Sequence, residues 1–269
     1  MNRGKQMGRL WKKLTALLLA GILTGYSAPA KEMQQPVERS LFAMNTYMTF
    51  TAYGEDAQAA LQEAEECIQQ VEGLWSVTDE DSEIYQANHS GGQPVTVSEE
   101  TAEIISFALE MAQRTGGALD PTIYPVLTAW GFTTDSKQVP SQQRITRLLE
   151  QVGYDRIRLN GTELTVPDGM ELDLGAVGKG YTADLVTEIL RRHGVTSALI
   201  SLGGNIQAIG SRPDGSDWRL GIRAPWESGN LGVLTVSDAA VVTSGGYENY
   251  FDDGQGNIYW HILDPSTGY

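Results

Sequence analysis

The sequence predicts an α+β fold: mixed sheets with packed helices in a single large domain. Three observations lead there. Stretches of period-two hydrophobicity interleave with stretches of helical spacing. Most neighbouring strand candidates are joined by short Gly, Asn or Asp turns, which favours hairpins over the helical crossovers of a doubly wound sheet. And 269 residues with 41% hydrophobic content can bury one substantial core.

The first thirty residues stand apart. Arg3, Lys5, Arg9, Lys12 and Lys13 precede an apolar run, Leu14–Leu23, that is short for a membrane span. Ala28-Pro29-Ala30 fits an export cleavage signal. Leu23-Thr24-Gly25 resembles the approach to a lipidated cysteine, but Tyr26 occupies the cysteine position, so the signal is a degenerate lipoprotein type. Residues 1–30 are therefore expected to be a signal peptide, with an uncleaved membrane anchor as the alternative. Residues 31–39 are expected to be a linker, and residues 40–269 the folded domain. Residues 31–269 carry 14 basic against 34 acidic residues. Such a surface repels nucleic acid, and no basic stripe tracks phosphates. The single cysteine, Cys67, allows no disulfide framework and reads as a buried structural residue.

In chain order, Phe42, Met44, Thr46, Met48, Phe50 and Ala52 alternate as one long strand. Residues 55–72 keep helical spacing through Ala57, Ala60, Leu61, Ala64, Cys67, Ile68 and Val71, with Gly73 as the stop. An acidic loop and short helix follow from Trp75 to Asn88. Ser98 caps a second helix, residues 99–115, with Glu99 and Glu100 suited to its N-terminal dipole. Ser141 starts a third, ending at Gly153. Ile157 and Leu159 pair with Leu164 and Val166 across Asn160-Gly161, a strong hairpin signal. Met170, Leu172 and Leu174 alternate as a strand leading into a glycine turn and a helix, residues 181–193. Val195–Leu202 is a strand ending at Gly203-Gly204. Trp218, Leu220 and Ile222, then Leu231 and Val233, then Val241-Val242, form later strands. The last carries Tyr259, His261 and Leu263.

The chemistry centres on Glu171–Asp184, where Gly175, Gly178 and Gly180 surround Lys179. A strand, a glycine turn and a helix N-terminus together gather free N–H groups suited to an anion. The spacing fails the phosphate-binding P-loop, because Gly180 stands where Ser or Thr is required. Taken alone, a glycine-rich turn with a solvated lysine is an equal reading. Asp173 and Asp184 flank the turn and would converge on one ligand or metal if both faced it. Of the histidines, His89 reads as solvated and His193 as a helix C-terminal cation. His261 lies near Asp264, but i, i+3 spacing on a regular strand puts the two on opposite faces. No zinc-protease, paired-cysteine or nucleophile-elbow motif is present, so any metal would take oxygen ligands, which suits magnesium.

Six motifs in order carry a resemblance: Met44-Asn45-Thr46; Gly116–Thr122 (GGALDPT); Leu172–Asp184 (LDLGAVGKGYTAD); Leu202–Asn205 (LGGN); Thr243–Gly245 (TSG); and His261–Gly268 (HILDPSTG). Together they resemble the FAD:protein FMN transferase family, the ApbE type. The resemblance implies an ApbE/T-fold-like arrangement and Mg2+-dependent transfer of FMN from FAD, as substrate, to a threonine hydroxyl of a protein outside the cytoplasm, with AMP leaving. It implies extracytoplasmic flavoprotein targets such as redox-pump subunits, at the outer face of the cytoplasmic membrane. By motif, Met44 would border the flavin. Thr78, Ala118, Leu119, Asp120, Asp173, Lys179 and Leu263 would contact FAD. Ala176 would offer its carbonyl to the metal, and His261 would stand near the reacting diphosphate. Two departures follow. Trp75-Ser76-Val77-Thr78 lacks the family's usual flavin-stacking aromatic after the serine, so either Trp75 substitutes or stacking is weaker. The chain also stops before the family's alanine–aspartate metal motif, so a C-terminally truncated sequence with weak FAD binding is expected. A non-catalytic flavin carrier and an FAD diphosphatase are the alternatives.

Overall fold

The computed structural model describes residues 35–134 and 136–269; the expected signal peptide lies outside the described residues. Residues 35–269 form one unit. Its spine is a five-stranded sheet. Strands β1 (Val37–Ala43) and β2 (Thr46–Tyr53) sit at one side. Beside them come β6 (Ser197–Leu202), β7 (Asn205–Ile209) and β10 (Ala239–Val242), giving the order β1-β2-β6-β7-β10. Every pairing among the described strands is antiparallel, as the hairpin-rich sequence predicts.

The single long strand expected over residues 42–52 is two strands. Ala43 pairs with Thr46 across a two-residue turn in which Met44 (φ 49°) and Asn45 (φ 56°) are both left-handed. Turns of that kind match the twist of the flanking strands, but they normally recruit Asn-Gly or Asp-Gly. The turn also switches the buried parity, from Ala43 before it to Met48, Phe50 and Ala52 after it. The expected linker is shorter too, since Val37–Arg39 already belong to β1.

Helix α1 (Ala57–Trp75) lies on the sheet through Ala57, Ala60, Leu61, Ala64 and Ile68. It runs past Gly73, which is helical rather than a stop. Helix α6 (Gly178–Arg192) packs beside it through Ala183, Val186 and Leu190. Gly194, at φ 74°, terminates α6 as a left-handed residue requires.

A second core gathers under α2 (Glu83–Asn88) and α3 (Glu99–Arg114), together with strands β3 (Val95–Thr96), β4 (Arg158–Asn160) and β5 (Glu163–Thr165). Ser98 caps α3 by accepting from the Thr101 N–H at 3.2 Å. A third core packs α4 (Tyr124–Ala129) and α5 (Gln142–Leu149), the latter capped by Ser141, around Trp130 and Ile145. Phe251 and Tyr259, from the pair β11 (Tyr250–Asp252) and β12 (Ile258–Trp260), close over it. Strands β8 (Trp218–Arg223) and β9 (Asn230–Val236) form a separate hairpin.

Two further expectations need correction. Residues 170–174 are extended and alternate in burial, yet they join no sheet. Their backbone is held by a side chain instead. The Asn88 amide donates to Leu172 O at 2.9 Å and accepts from Leu172 N at 2.7 Å, doing the work of a neighbouring strand. And β12 ends at Trp260, so His261 and Leu263 follow the strand rather than lie in it. Among the described residues no helix is long and apolar enough to cross a membrane.

Candidate functional site

A cleft of about 550 Å³ opens where the first two cores meet the third. Its walls come from four places in the chain. The β1–β2 turn supplies Met44 and Asn45, and the end of α1 with the loop beyond it supplies Glu72 and Trp75–Thr78. Helix α4 and its exit supply Tyr124, Leu127, Phe132 and Thr133, and the segment entering α6 supplies Asp173–Gly175, Gly178 and Lys179. Four residues expected at the site, Met44, Thr78, Asp173 and Lys179, therefore share one wall system.

Each is held for a stated reason. The Met44 N–H donates to Glu72 Oε1 at 2.6 Å, which fixes a turn whose backbone is otherwise strained. Thr78 is exposed in a turn closed by its N–H donating to Ser76 Oγ at 3.2 Å. Asp173 is anchored at both ends: its N–H donates to Pro121 O at 2.7 Å, and its Oδ1 accepts from Gly175 N at 3.0 Å. Burial pushes the Asp173 carboxyl above its usual range, against the opposing pull of the Gly175 hydrogen bond and the Lys179 ammonium. Lys179 is half-buried in the first turn of α6, since the helix begins at Gly178 and not at Tyr181. Its charge therefore adds to the positive end of the helix.

Other expected residues stand outside the cleft lining. Asp120 is buried and works as a knot: Oδ1 accepts from the Thr122 N–H (2.9 Å) and hydroxyl (2.6 Å), and Oδ2 accepts from Tyr154 N at 3.1 Å. Ala118 and Leu119 precede it in the same loop, which reaches the cleft through the Pro121–Asp173 hydrogen bond. Ala176 is exposed in the turn before α6. Leu263 packs on the third core. Asp184 is exposed one turn further along α6, so the pair Asp173–Asp184 does not converge on the cleft. Trp75 does reach the cleft, but it is buried and its indole N–H is committed to Thr101 Oγ1 at 3.2 Å.

His261 is half-buried, with Nδ1 3.2 Å from Asn249 O. A carbonyl can only accept, so this contact puts the neutral ring's proton on Nδ1 and leaves Nε2 free as a base. Burial holds its pKa below the usual histidine value, and the charges of Lys179 and Lys137 push the same way. His193 caps α6 and pairs with Glu63 at 2.6 Å, while His89 is exposed and stacked on Tyr85. Cys67 is only half-buried, and burial raises its thiol pKa.

Sequence reasoning missed Glu72, Tyr124, Phe132 and Thr133. Nothing in the spacing of Tyr124, Phe132 or Thr133 shows that they share a cleft with Lys179. Glu72 is one of many helix acids, and its role appears only once Met44 is seen in a turn.

The ApbE family matches residues 44–269. The chain belongs to the ApbE family. Its sequence is 34% identical to the FAD:protein FMN transferase of Treponema pallidum, over 80% of this chain and 64% of that protein. It is also 34% identical to that of Klebsiella pneumoniae, over 86% of this chain and 72% of that one. The chain thus spans about two thirds of the length of these ApbE relatives. Among solved structures, the ApbE protein of Thermotoga maritima superposes with a TM-score of 0.82 at 31% identity, covering 87% of this chain and 78% of that one. The flavinyl transferase ApbE of Pseudomonas stutzeri gives 0.78 at 28%, covering 87% and 76%. Mixed sheets and helices in one domain are therefore the ApbE architecture, as the resemblance implied.

Proposed function

We propose that this chain carries the flavin-nucleotide site of an FAD:protein FMN transferase: FAD is the substrate and FMN passes to a threonine hydroxyl of a partner protein. The carrying observation is that Met44, Thr78, Asp173 and Lys179, distant in sequence, line a single cleft. The flavin would lie between the Met44–Asn45 turn and the apolar wall of Leu127 and Phe132. The diphosphate would lie toward Lys179 and the start of α6, where a cation and unpaired N–H groups favour an anion.

The threonine oxygen forms a new bond to the FMN phosphorus, and the bond from that phosphorus to the bridging oxygen breaks. AMP departs with the electron pair. His261 stands outside the cleft lining; by the family resemblance it would take the proton, and a free Nε2 on a ring held below the usual histidine pKa suits that role. Lys179 offsets charge that develops on the phosphoryl oxygens and the leaving AMP.

Magnesium fits less well. Among the described residues no group of three or more His, Cys, Asp or Glu gathers to hold a metal. The exposed turn carrying Ala176 offers a carbonyl, but the described residues alone do not make a magnesium site, and no step is routed through one. Export by residues 1–30, with a flavoprotein target beyond the cytoplasmic membrane, completes the reading.

The test is incubation of the purified protein with FAD, Mg2+ and a threonine-bearing target peptide, read by mass spectrometry. The expected product is peptide carrying FMN as a phosphoester, with equimolar AMP. Free FMN with unmodified peptide would point instead to a diphosphatase. Intact FAD that is bound but unreacted would point to a carrier. Lys179→Ala is expected to weaken FAD binding by roughly tenfold or more, the effect of losing a charged hydrogen bond; unchanged affinity would remove this stretch from the diphosphate site.

A further inference from the structure

Two motifs, Leu202–Asn205 and Thr243–Gly245, have no part in the cleft lining, yet the fold brings the first against the start of α6 and ties the second to it. Asn205 opens β7 directly after the Gly203-Gly204 turn. It is 8% exposed, and its side-chain amide forms no hydrogen bond with another described residue. It is not one of the fully enclosed unpaired polar groups among the described residues, which are Ser90 Oγ and Ser197 Oγ, so its amide keeps an opening through which a ligand or a water reaches it.

The direction of the amide is clear from its neighbour. A Cβ placed on Gly180 would lie 3.5 Å from Asn205 Nδ2, so the amide faces the first turn of α6. That turn has no side-chain cap and no acidic residue. The Gly178 and Tyr181 N–H groups donate to Leu174 O and Val177 O, whereas those of Lys179 and Gly180 have no backbone acceptor. The Asn205 amide and two backbone N–H groups thus gather as donors at the turn that carries Lys179, with Asp173 as the acid on the Lys179 side. Such a set suits the oxygens of an anion.

The placement of Asn205 is enforced. Gly203 (φ 60°) and Gly204 (φ 92°) are both left-handed, and a side chain on Gly203 would collide with Thr46. Gly204 O accepts from Thr243 N at 3.2 Å, which ties the second motif to the same turn.

We propose that Asn205 is a substrate-contacting residue, its Nδ2 donating to a phosphoryl oxygen of the diphosphate whose flavin end occupies the cleft. This rests on the flavin-nucleotide reading above. It assigns Leu202–Asn205 to diphosphate recognition and makes Gly180 the space that the phosphoryl oxygen needs.

Calorimetric titration of FAD, ADP and riboflavin into the wild type, Asn205→Asp and Gly180→Ala tests it, with folding checked by circular dichroism. Asn205→Asp keeps the side chain's shape but puts an acceptor where the donor was. It is expected to lose roughly tenfold or more in affinity for FAD and ADP while riboflavin, which has no phosphate, is unaffected. If Asn205→Asp fails to fold, Gly180→Ala decides. Its methyl meets Asn205 at ordinary contact distance and is favoured in a helix, and it is expected to produce the same selective loss. FAD and ADP affinities within about twofold of wild type in the deciding variant overturn the inference and leave the functional reading standing. An equal loss for riboflavin also overturns it, because that reports a distorted cleft. A wild type that binds none of the three overturns the functional reading itself, and this inference with it.

Discussion

Asn88→Ala removes the one group that stands in for a sheet at the centre of the site. Leu172 is fully buried, and its N–H and C=O have the Asn88 side chain as their partner at 2.7 Å and 2.9 Å. Alanine leaves both without a partner at a position water reaches poorly. Each unmet buried group costs roughly 1–3 kcal/mol, so the expected loss for the two is about 2–6 kcal/mol. For a domain of this size, each kcal/mol lowers the unfolding midpoint by about 2–4 °C, giving a fall of roughly 4–24 °C. The site should suffer as well, since Asp173 and Leu174 follow Leu172 directly and line the cleft. Asn88→Asp keeps an acceptor for the Leu172 N–H but loses the donor, and is expected to fall between alanine and wild type. Urea denaturation followed by circular dichroism measures the series. A loss below about 0.5 kcal/mol for Asn88→Ala, within the range of ordinary surface changes, would refute the claim that Asn88 acts as a substitute strand.

Three further outcomes follow. Burial raises the Asp173 pKa above its reference of 3.8, so the native state holds that proton longer than the unfolded chain and loses stability as pH rises through that window. Asp173→Asn is therefore expected to raise the melting midpoint at pH 7, an advantage that vanishes at or below pH 3.8, while FAD binding weakens; melts at both pH values check this. His261 is depressed below 6.5, so its native form binds fewer protons than the unfolded chain, and stability falls as pH drops through the window under 6.5. An NMR titration should place its imidazole below 6.5, and His261→Gln should flatten that part of the stability profile. Gly203→Ala adds left-handed strain of about 1–2 kcal/mol and a clash with Thr46 of about 1–3 kcal/mol, and should depress the midpoint accordingly; an unchanged melt would refute the close approach.

The helices were legible because local signals agree with tertiary burial. Ser98 and Ser141 cap where they stand, and the apolar spacing of α1 is the face that meets the sheet. The errors share a cause, which is that a neighbour distant in sequence overrode a local pattern. Met44 and Asn45 make a tight turn without a glycine because Glu72 holds the backbone. Gly73 stays helical because its helix is fixed by Val71 and Trp75 on either side. Residues 170–174 alternate like a strand but are partnered by Asn88 and Pro121. At the site, the glycine turn and Lys179 were readable as chemistry. The wall from α4 was not, since its residues face the cleft only through packing of the third core.

The origin of the cleft walls also governs how this protein comes to be folded. Met44, Thr78, Tyr124 and Lys179 meet only after long stretches of intervening chain have closed, and pairing β2 with β6 closes one of the longest of these. Loop closure of that length is a late and entropically costly event, so the binding site matures with the last cooperative step rather than growing with the chain. A partly folded molecule has no partial site to offer. Ligand then binds the native state alone, and a nucleotide at a hundred times its dissociation constant would deepen the native well by about 2.7 kcal/mol. Any ligand of the cleft would thereby shift the balance toward the folded chain.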